Sequence, residues 1–268
     1  MLIDTHAHVN FSAYKDDADE VIRRCLDKRV WMINVGSQYS TSKRAVEIAQ
    51  NCKKGVYAAV GLHPIHADLG DFEPAKYKEL AKNNKVVAIG EIGLDYKPEY
   101  VSFKTKQEIV LRQQMDLAQG LNLPIIFHCR LAHDNLIDIL KDREGAPLHS
   151  QRQTHSLPEA RSGALLRGVV HCFTGDWGQA KKYLEMGFYL GLNGIIFKLS
   201  LDDIIKKAPL ERILVETDCP YLTPPPMEGR NEPLYVKYII EKIAQLKNLT
   251  YEEIADITTK NAEELFRI

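Results

Sequence analysis

Eight times along this 268-residue chain, a short run rich in Val, Ile and Leu is followed by a longer stretch of helical period. The runs are LIDTHAH (2–8), VWMINVGS (30–37), GVYAAVGLHP (55–64), KVVAIGEIGLD (85–95), LPIIFHCR (123–130), GVVHCFTG (168–175), FYLGLNG (188–194) and ILVETDCP (213–220). Near-continuous apolar runs suit parallel strands buried on both faces. The segments between them predict helices over about 16–28, 40–53, 72–83, 103–122, 132–142, 176–186, 200–207 and 231–246. In the fourth of these, Leu111, Met115, Ala118 and Leu121 make one apolar stripe. Eight strand-then-helix units with right-handed crossovers predict a closed TIM-type (β/α)₈ barrel, an α/β fold. The rival is an open doubly wound sheet, which carries a Gly-rich phosphate turn after its first strand. No GxGxxG follows LIDTHAH.

The length suits a single domain over residues 1–268. The tail from Thr250, with Tyr251, Ile254, Ile257, Ala262 and Leu265, predicts one or two additional C-terminal helices packed outside the barrel. The polar stretch 143–166 has no sustained period and reads as a long loop at the bottom of the barrel, with His149 and His155 solvated on it.

Polar residues collect where the strands of such a barrel end, and that end is where TIM barrels carry their catalytic groups. His6 and His8 close the first run, and His63 follows the third. Glu91 and Asp95 end the fourth, His128 and Arg130 the fifth, His171 the sixth, and Glu216 and Asp218 the eighth. In a strand, alternate residues share a face, which would put Asp4, His6 and His8 together. One buried polar group is easily satisfied by a neighbour. Six imidazoles and carboxylates at one mouth would each need a partner at considerable desolvation cost.

Divalent ions resolve that cost. His6, His8, Glu91, His128, His171 and Asp218 are about the ligand set of a two-metal site. The expected division has His6, His8 and Asp218 on one ion, His128 and His171 on the other, and Glu91 bridging. The mixed nitrogen and oxygen set suits Mg²⁺, Zn²⁺, Mn²⁺ or Fe without choosing among them.

In their order along nearly the whole chain, THAH, GLHP, GEIGLDY, HCR, HCFTG, ETDCPYLTP and GRNEP resemble the TatD-type metal-dependent deoxyribonucleases of the amidohydrolase superfamily. That resemblance implies a TIM barrel with divalent ions on the same six residues. It also implies phosphodiesterase activity on DNA, usually as a 3′→5′ exonuclease preferring single strands and supported by Mg²⁺. Only the length of 143–166 departs from the family pattern.

The catalytic expectation is attack on a DNA phosphodiester by metal-activated water, with Asp218 as ligand or general base and Glu91 between the ions. Arg130 shares a face with His128 and is the first choice for a phosphate contact, since guanidinium binds phosphate bidentately. Arg230 and Asn231, in the loop after the eighth strand, are a second. His63 is read as a substrate contact or a loop-shaping residue. Asp95 is grouped with the substrate contacts, with orientation of a ligand or capping of the next segment as alternatives. Asp4 and Glu216, one layer deeper, are expected to support the ligands through buried hydrogen bonds. Tyr221 and Pro224-Pro225-Pro226 read as a stiff wall, and Tyr96 as a base-stacking or a packing residue.

A formal net charge of −1 excludes a general polyanion-binding surface, so contact with single-stranded DNA ends would be local. Five cysteines without a CxxC pair suit a reducing, cytoplasmic setting, and Cys129, Cys172 and Cys219 read as packing residues. No run is apolar enough to span a membrane. Two alternatives stand beside the nuclease. One is an amidohydrolase-type enzyme acting on a small C–N, lactone or phosphoester substrate, whose relatives often carry a modified lysine where this chain has Glu91. The other is a non-catalytic accessory protein, which a complete ligand set argues against. The sequence is silent on oligomeric state.

Overall fold

The eight apolar runs form eight parallel strands that hydrogen-bond in chain order: β1 (Leu2–Ala7), β2 (Val30–Val35), β3 (Val56–Val60), β4 (Val86–Asp95), β5 (Ile125–Arg130), β6 (Gly168–Val170), β7 (Tyr189–Leu192) and β8 (Ile213–Val215). In this computed structural model, which describes residues 1–68, 70, 72–145 and 166–268, the sheet curls until its first and last strands meet. Along that seam Thr5 Oγ1 donates to the Val215 carbonyl (3.1 Å), Asp218 N to the His6 carbonyl (2.9 Å) and His8 N to the Cys219 carbonyl (2.9 Å). The result is the expected TIM-type (β/α)₈ barrel.

Helices follow the strands: α1 (Ala18–Asp27), α2 (Tyr39–Asn51), α3 (Pro74–Leu80), α4 (Lys104–Leu121), α5 (His133–Gly145), α6 (Trp177–Glu185), α7 (Asp202–Lys207), α8 (Val236–Lys247) and α9 (Tyr251–Phe266). The stripe foreseen on α4 faces inward, with Leu111, Met115 and Ala118 fully buried. The helix expected from 231 begins at Val236 instead, because Pro233 opens a separate 3-10 turn over Pro233–Tyr235. The helix α5 runs to Gly145, into the stretch read as a loop. Residues 146–165, including His149 and His155, lie outside the described residues.

Two apolar layers hold the barrel. The larger packs strands against the surrounding helices, through residues such as Met32, Val60, Phe127 and Ile240. The smaller gathers Ile3, Ile33, Val35, Val87, Ile126, Val169 and Leu214 with Ala262, Leu265 and Phe266 of α9. Each such side chain, fully buried, contributes roughly 1.5–3 kcal/mol. The tail is therefore one helix, packed against strand residues of the barrel. Its start is set by a capping box in which the Thr250 hydroxyl accepts from Glu253 N and the Glu253 carboxylate accepts from Thr250 N. Asn261 Nδ2 ties it to the entrance of β8, donating to the carbonyls of Leu210 (2.9 Å) and Ile213 (2.8 Å). With one end of the barrel packed this way, the C-terminal ends of the strands carry the polar residues.

Candidate metal centre

The first ligand candidates lie where β1 loses its regularity. Its register against β2 shifts between Asp4 and Ala7, so the alternation that would align residues 4, 6 and 8 on one face does not hold. Asp4 turns to Thr217, accepting from its backbone N (2.9 Å) and its hydroxyl, and also accepts from His6 N (3.2 Å). His6 Nε2 and His8 Nε2 converge instead, 3.1 Å apart.

Glu91, on β4, is the hub. Its Oε1 lies 2.7 Å from His128 Nδ1, 3.4 Å from His63 Nε2 and 3.6 Å from His171 Nε2; its Oε2 lies 3.5 Å from His6 Nε2. Asp218 Oδ1 sits 3.4 Å from His8 Nε2 and 3.8 Å from both His6 Nε2 and His171 Nε2. Among the described residues, three sets of ligand atoms lie mutually within 4.8 Å: His6, His171 and Asp218; His6, His8 and Glu91; and His63, Glu91 and His128. His128 and His171, expected on one ion, fall in different sets, although both rings face the same Glu91 Oε1. The His171 ring stacks on His6, with centroids 3.5 Å apart, because Glu216 beyond β8 holds its Nδ1 at 2.8 Å. His128 is drawn the other way by Asp95, whose Oδ2 is 3.0 Å from its Nε2, and meets the His63 ring.

Behind the pit, His8, His171 and His128 each have their orientation set by a partner, as ligating histidines usually do. His8 donates its Nδ1–H to the Val35 carbonyl (2.8 Å), which leaves the Nε2 lone pair facing His6. Glu216, fully buried, also accepts from Cys172 N (2.7 Å) and Asn193 Nδ2 (3.0 Å). Asp95 accepts from Lys97 N (3.1 Å) as well, so its carboxylate supplies the orienting and capping roles rather than a free substrate contact. Asn193 escaped the sequence reading, although a polar residue ending an apolar run was the same signal that singled out the others.

The charges follow from this packing. Burial opposes the Glu91 anion, but His63, His6 and His128 outweigh it and hold its carboxyl well below the usual range. Asp218 is also lowered: burial again opposes the anion, and His171 and His8 overcome it. His63 is depressed to about 4 by burial. For His128, hydrogen bonds to Asp95 and Glu91 overcome burial and raise it to about 8; for His171, Glu216 and Asp218 do so and raise it to about 10.

Asp218 is held by its neighbours. Its φ is +57°, in the left-handed region. Asp4 grips Thr217 on one side, while Asn231 Nδ2 donates to the carbonyls of Thr217 (2.9 Å) and Tyr221 on the other. Asn231, fully buried, is therefore a brace for this turn and not the phosphate contact expected of it. Arg230 is similarly engaged. Its guanidinium makes a two-pronged ion pair with Asp17 (Nη1 at 2.9 Å), donates to the Ala13 carbonyl (2.7 Å) and lies over the Tyr14 ring. If this pair is a loop fastener, Asp17→Asn and Arg230→Lys should raise the KM for a nucleic-acid substrate by similar small factors, within about threefold. A rise confined to the Arg230 variant would restore the phosphate role.

Other candidates are placed as follows. Arg130 is exposed at the end of β5 with no side-chain hydrogen bond among the described residues. Tyr96 donates its hydroxyl to Glu108 (2.8 Å), the packing alternative. Tyr221 is 55% exposed. Cys129 and Cys219 are buried as packing residues, while Cys172 is half-buried with Sγ 3.5 Å from Asn193 Oδ1.

The donor set fits divalent cations. Two imidazole nitrogens 3.1 Å apart, one of them bearing a lone pair by virtue of the Val35 contact, flank two carboxylates kept ionised. His6 Nδ1 is buried without a hydrogen-bond partner among the described residues. Such a cluster of lone pairs and anions is stabilised by a cation placed among them. Among the described residues no helix is long and apolar enough to cross a membrane.

Comparisons with known proteins show the family and the fold. The family described as TatD related DNase matches residues 3–267. An uncharacterized metal-dependent hydrolase, YabD of Bacillus subtilis, is 45% identical over 100% of both chains. A protein of Salmonella typhimurium described as the 3′-5′ ssDNA/RNA exonuclease TatD is 31% identical, covering 100% of this chain and 99% of its own. Among solved structures, the TatD homolog YjjV of Escherichia coli superposes with a TM-score of 0.84 at 28% identity, over 100% of this chain and 98% of that one.

Proposed function

The chain belongs to the TatD-related DNase family, and from that membership and the geometry of the pit we propose that it is a metal-dependent hydrolase that removes nucleotides from the 3′ ends of single-stranded DNA. The observation that carries the reading is the convergence of His6, His8, His128, His171 and His63 on Glu91 and Asp218 at the C-terminal mouth of the barrel.

Two divalent ions, Mg²⁺ as the first expectation for activity, would be held by His6, His8, Glu91, His128, His171 and Asp218, with His63 beside them; when bound they supply Lewis-acid polarisation and make a water easier to deprotonate. Asp218, the more exposed of the two central carboxylates, with a side chain 15% exposed, accepts the proton of the attacking water. The carbonyl of Val35, Glu216 and Asp95 keep one ring nitrogen each of His8, His171 and His128 turned into the pit. The Arg130 guanidinium, exposed at the end of β5 with no side-chain hydrogen bond among the described residues, is positioned to take phosphate oxygens. The whole chain acts as one domain, and its five free cysteines suit the cytoplasm.

The test is incubation of the purified protein with single-stranded DNA carrying an internal label near its 3′ end, with Mg²⁺, Mn²⁺ or EDTA, beside duplex DNA and RNA of the same sequence. Stepwise shortening from the 3′ end that needs metal and is faster on single strands supports the reading. No shortening with either metal overturns it.

A further inference from the structure

Beside the pit, the loops that leave β5 and β6 enclose a groove of about 340 Å³, the size of the smaller ligand sites. Leu131 and Thr174, on its wall, each come three residues after a ligand candidate, His128 and His171 respectively. The groove is thus built by the segments that continue from the ends of β5 and β6, beyond those two candidates.

Its chemistry is specific about what it would accept. Asp134 and Asp176 lie on the wall and point away from a phosphate role, since carboxylates repel one. Both are tied to Gln179, which donates Nε2–H to Asp134 (3.2 Å) and its backbone N–H to Asp176 (2.8 Å), so the wall is braced. Asn135 and Thr174 offer amide and hydroxyl groups that make no side-chain hydrogen bond among the described residues. Leu131 stands at the rim, 70% exposed, on a backbone with φ of +55°. A left-handed leucine is uncommon, because its Cβ crowds the carbonyl, a clash that glycine lacks and that asparagine offsets with local hydrogen bonds. Here that conformation holds a large apolar side chain out in solvent next to free hydrogen-bonding groups.

We propose that this groove is the subsite for the base of the 3′-terminal nucleotide, with Leu131 against the face of the base and Asn135 and Thr174 on its edge. A nucleobase is neutral and flat, with an apolar face and both donors and acceptors on its rim. It matches a wall that combines an exposed apolar side chain with unpaired polar groups and excludes anions. The proposal rests on the nuclease reading above and names where that enzyme would hold its substrate.

The test compares single strands ending in an ordinary 3′ nucleotide with strands whose last nucleotide is abasic. For the native protein with Mg²⁺ or Mn²⁺, the base-bearing end is expected to have the lower KM, by about tenfold, as pocket contacts of this size give. In Leu131→Asn, which keeps a residue tolerant of left-handed backbone, and in Asn135→Ala, the ratio is expected to fall toward one. The same ratio is read as affinity in EDTA, by fluorescence anisotropy of a 5′-labelled tetranucleotide, which needs no turnover. Equal KM values and affinities for the two ends, no binding of either, or variants that keep the full ratio would overturn the subsite. Absence of cleavage with a persisting affinity ratio would instead remove the nuclease reading and leave the subsite standing.

Discussion

Asp218→Asn is expected to slow metal-supported phosphodiester hydrolysis by on the order of 10³-fold, the scale of a lost general base, while leaving the barrel folded. The substitution is nearly isosteric, and asparagine tolerates the left-handed backbone that residue 218 adopts at φ +57°. The hydrogen bonds that hold this turn are made by its neighbours Asp4, Thr217 and Asn231, which the substitution does not touch. What changes is the charge facing His8, His6 and His171. Initial rates on labelled single strands, with circular dichroism as the folding control, check this. A variant with native rates would remove Asp218 from the chemistry.

Glu91→Gln is expected to act on metal retention first and on rate as a consequence. Five imidazoles lie within 4 Å of this one carboxylate, and both of its oxygens are used. An amide of the same shape presents one acceptor where there were two and carries no charge, so the ions lose their shared anion. Affinity is expected to fall by more than the roughly ten- to hundredfold typical of losing an outer partner of a ligand. Elemental analysis after dialysis against a weak chelator should show the variant losing most of its metal under conditions in which the native protein keeps it. Hydrolysis should fall by on the order of 10³-fold. Native metal content in the variant would mean that Glu91 is not a shared ligand.

The strands were legible because parallel strands covered on both faces need unbroken apolar runs, and the polar residues that end those runs mark the mouth of a barrel. The six ligand candidates stood out for that reason. What the sequence hid is tertiary. Arg230 looked free for phosphate, but its partner Asp17 lies 213 residues away. Asn231 looked like its companion and is a buried brace. His63 was read as a substrate contact or a loop-shaping residue; its Nδ1 accepts from Ile65 N (3.2 Å), and only the fold sets its Nε2 3.4 Å from Glu91. The alternation through residues 4, 6 and 8 was a sound inference for a regular strand, and a register shift in β1 defeated it. How each histidine ring is set was also out of reach, since it depends on which carboxylate, Glu216 or Asp95, lies behind it.

The barrel closes where Asp218 N reaches the His6 carbonyl and His8 N the Cys219 carbonyl. The seam of the cylinder and one half of the pit are thus the same few residues, contributed by opposite ends of the polypeptide. Contacts between such distant segments carry the largest loop-closure cost and come late in assembly. During synthesis, His6 and His8 leave the ribosome some 210 residues before Asp218 does, and until then nothing gathers them against a second carboxylate from β8. A half-made chain therefore has no finished pit, and the gathering of these side chains there reports that the last turn of the barrel has been completed.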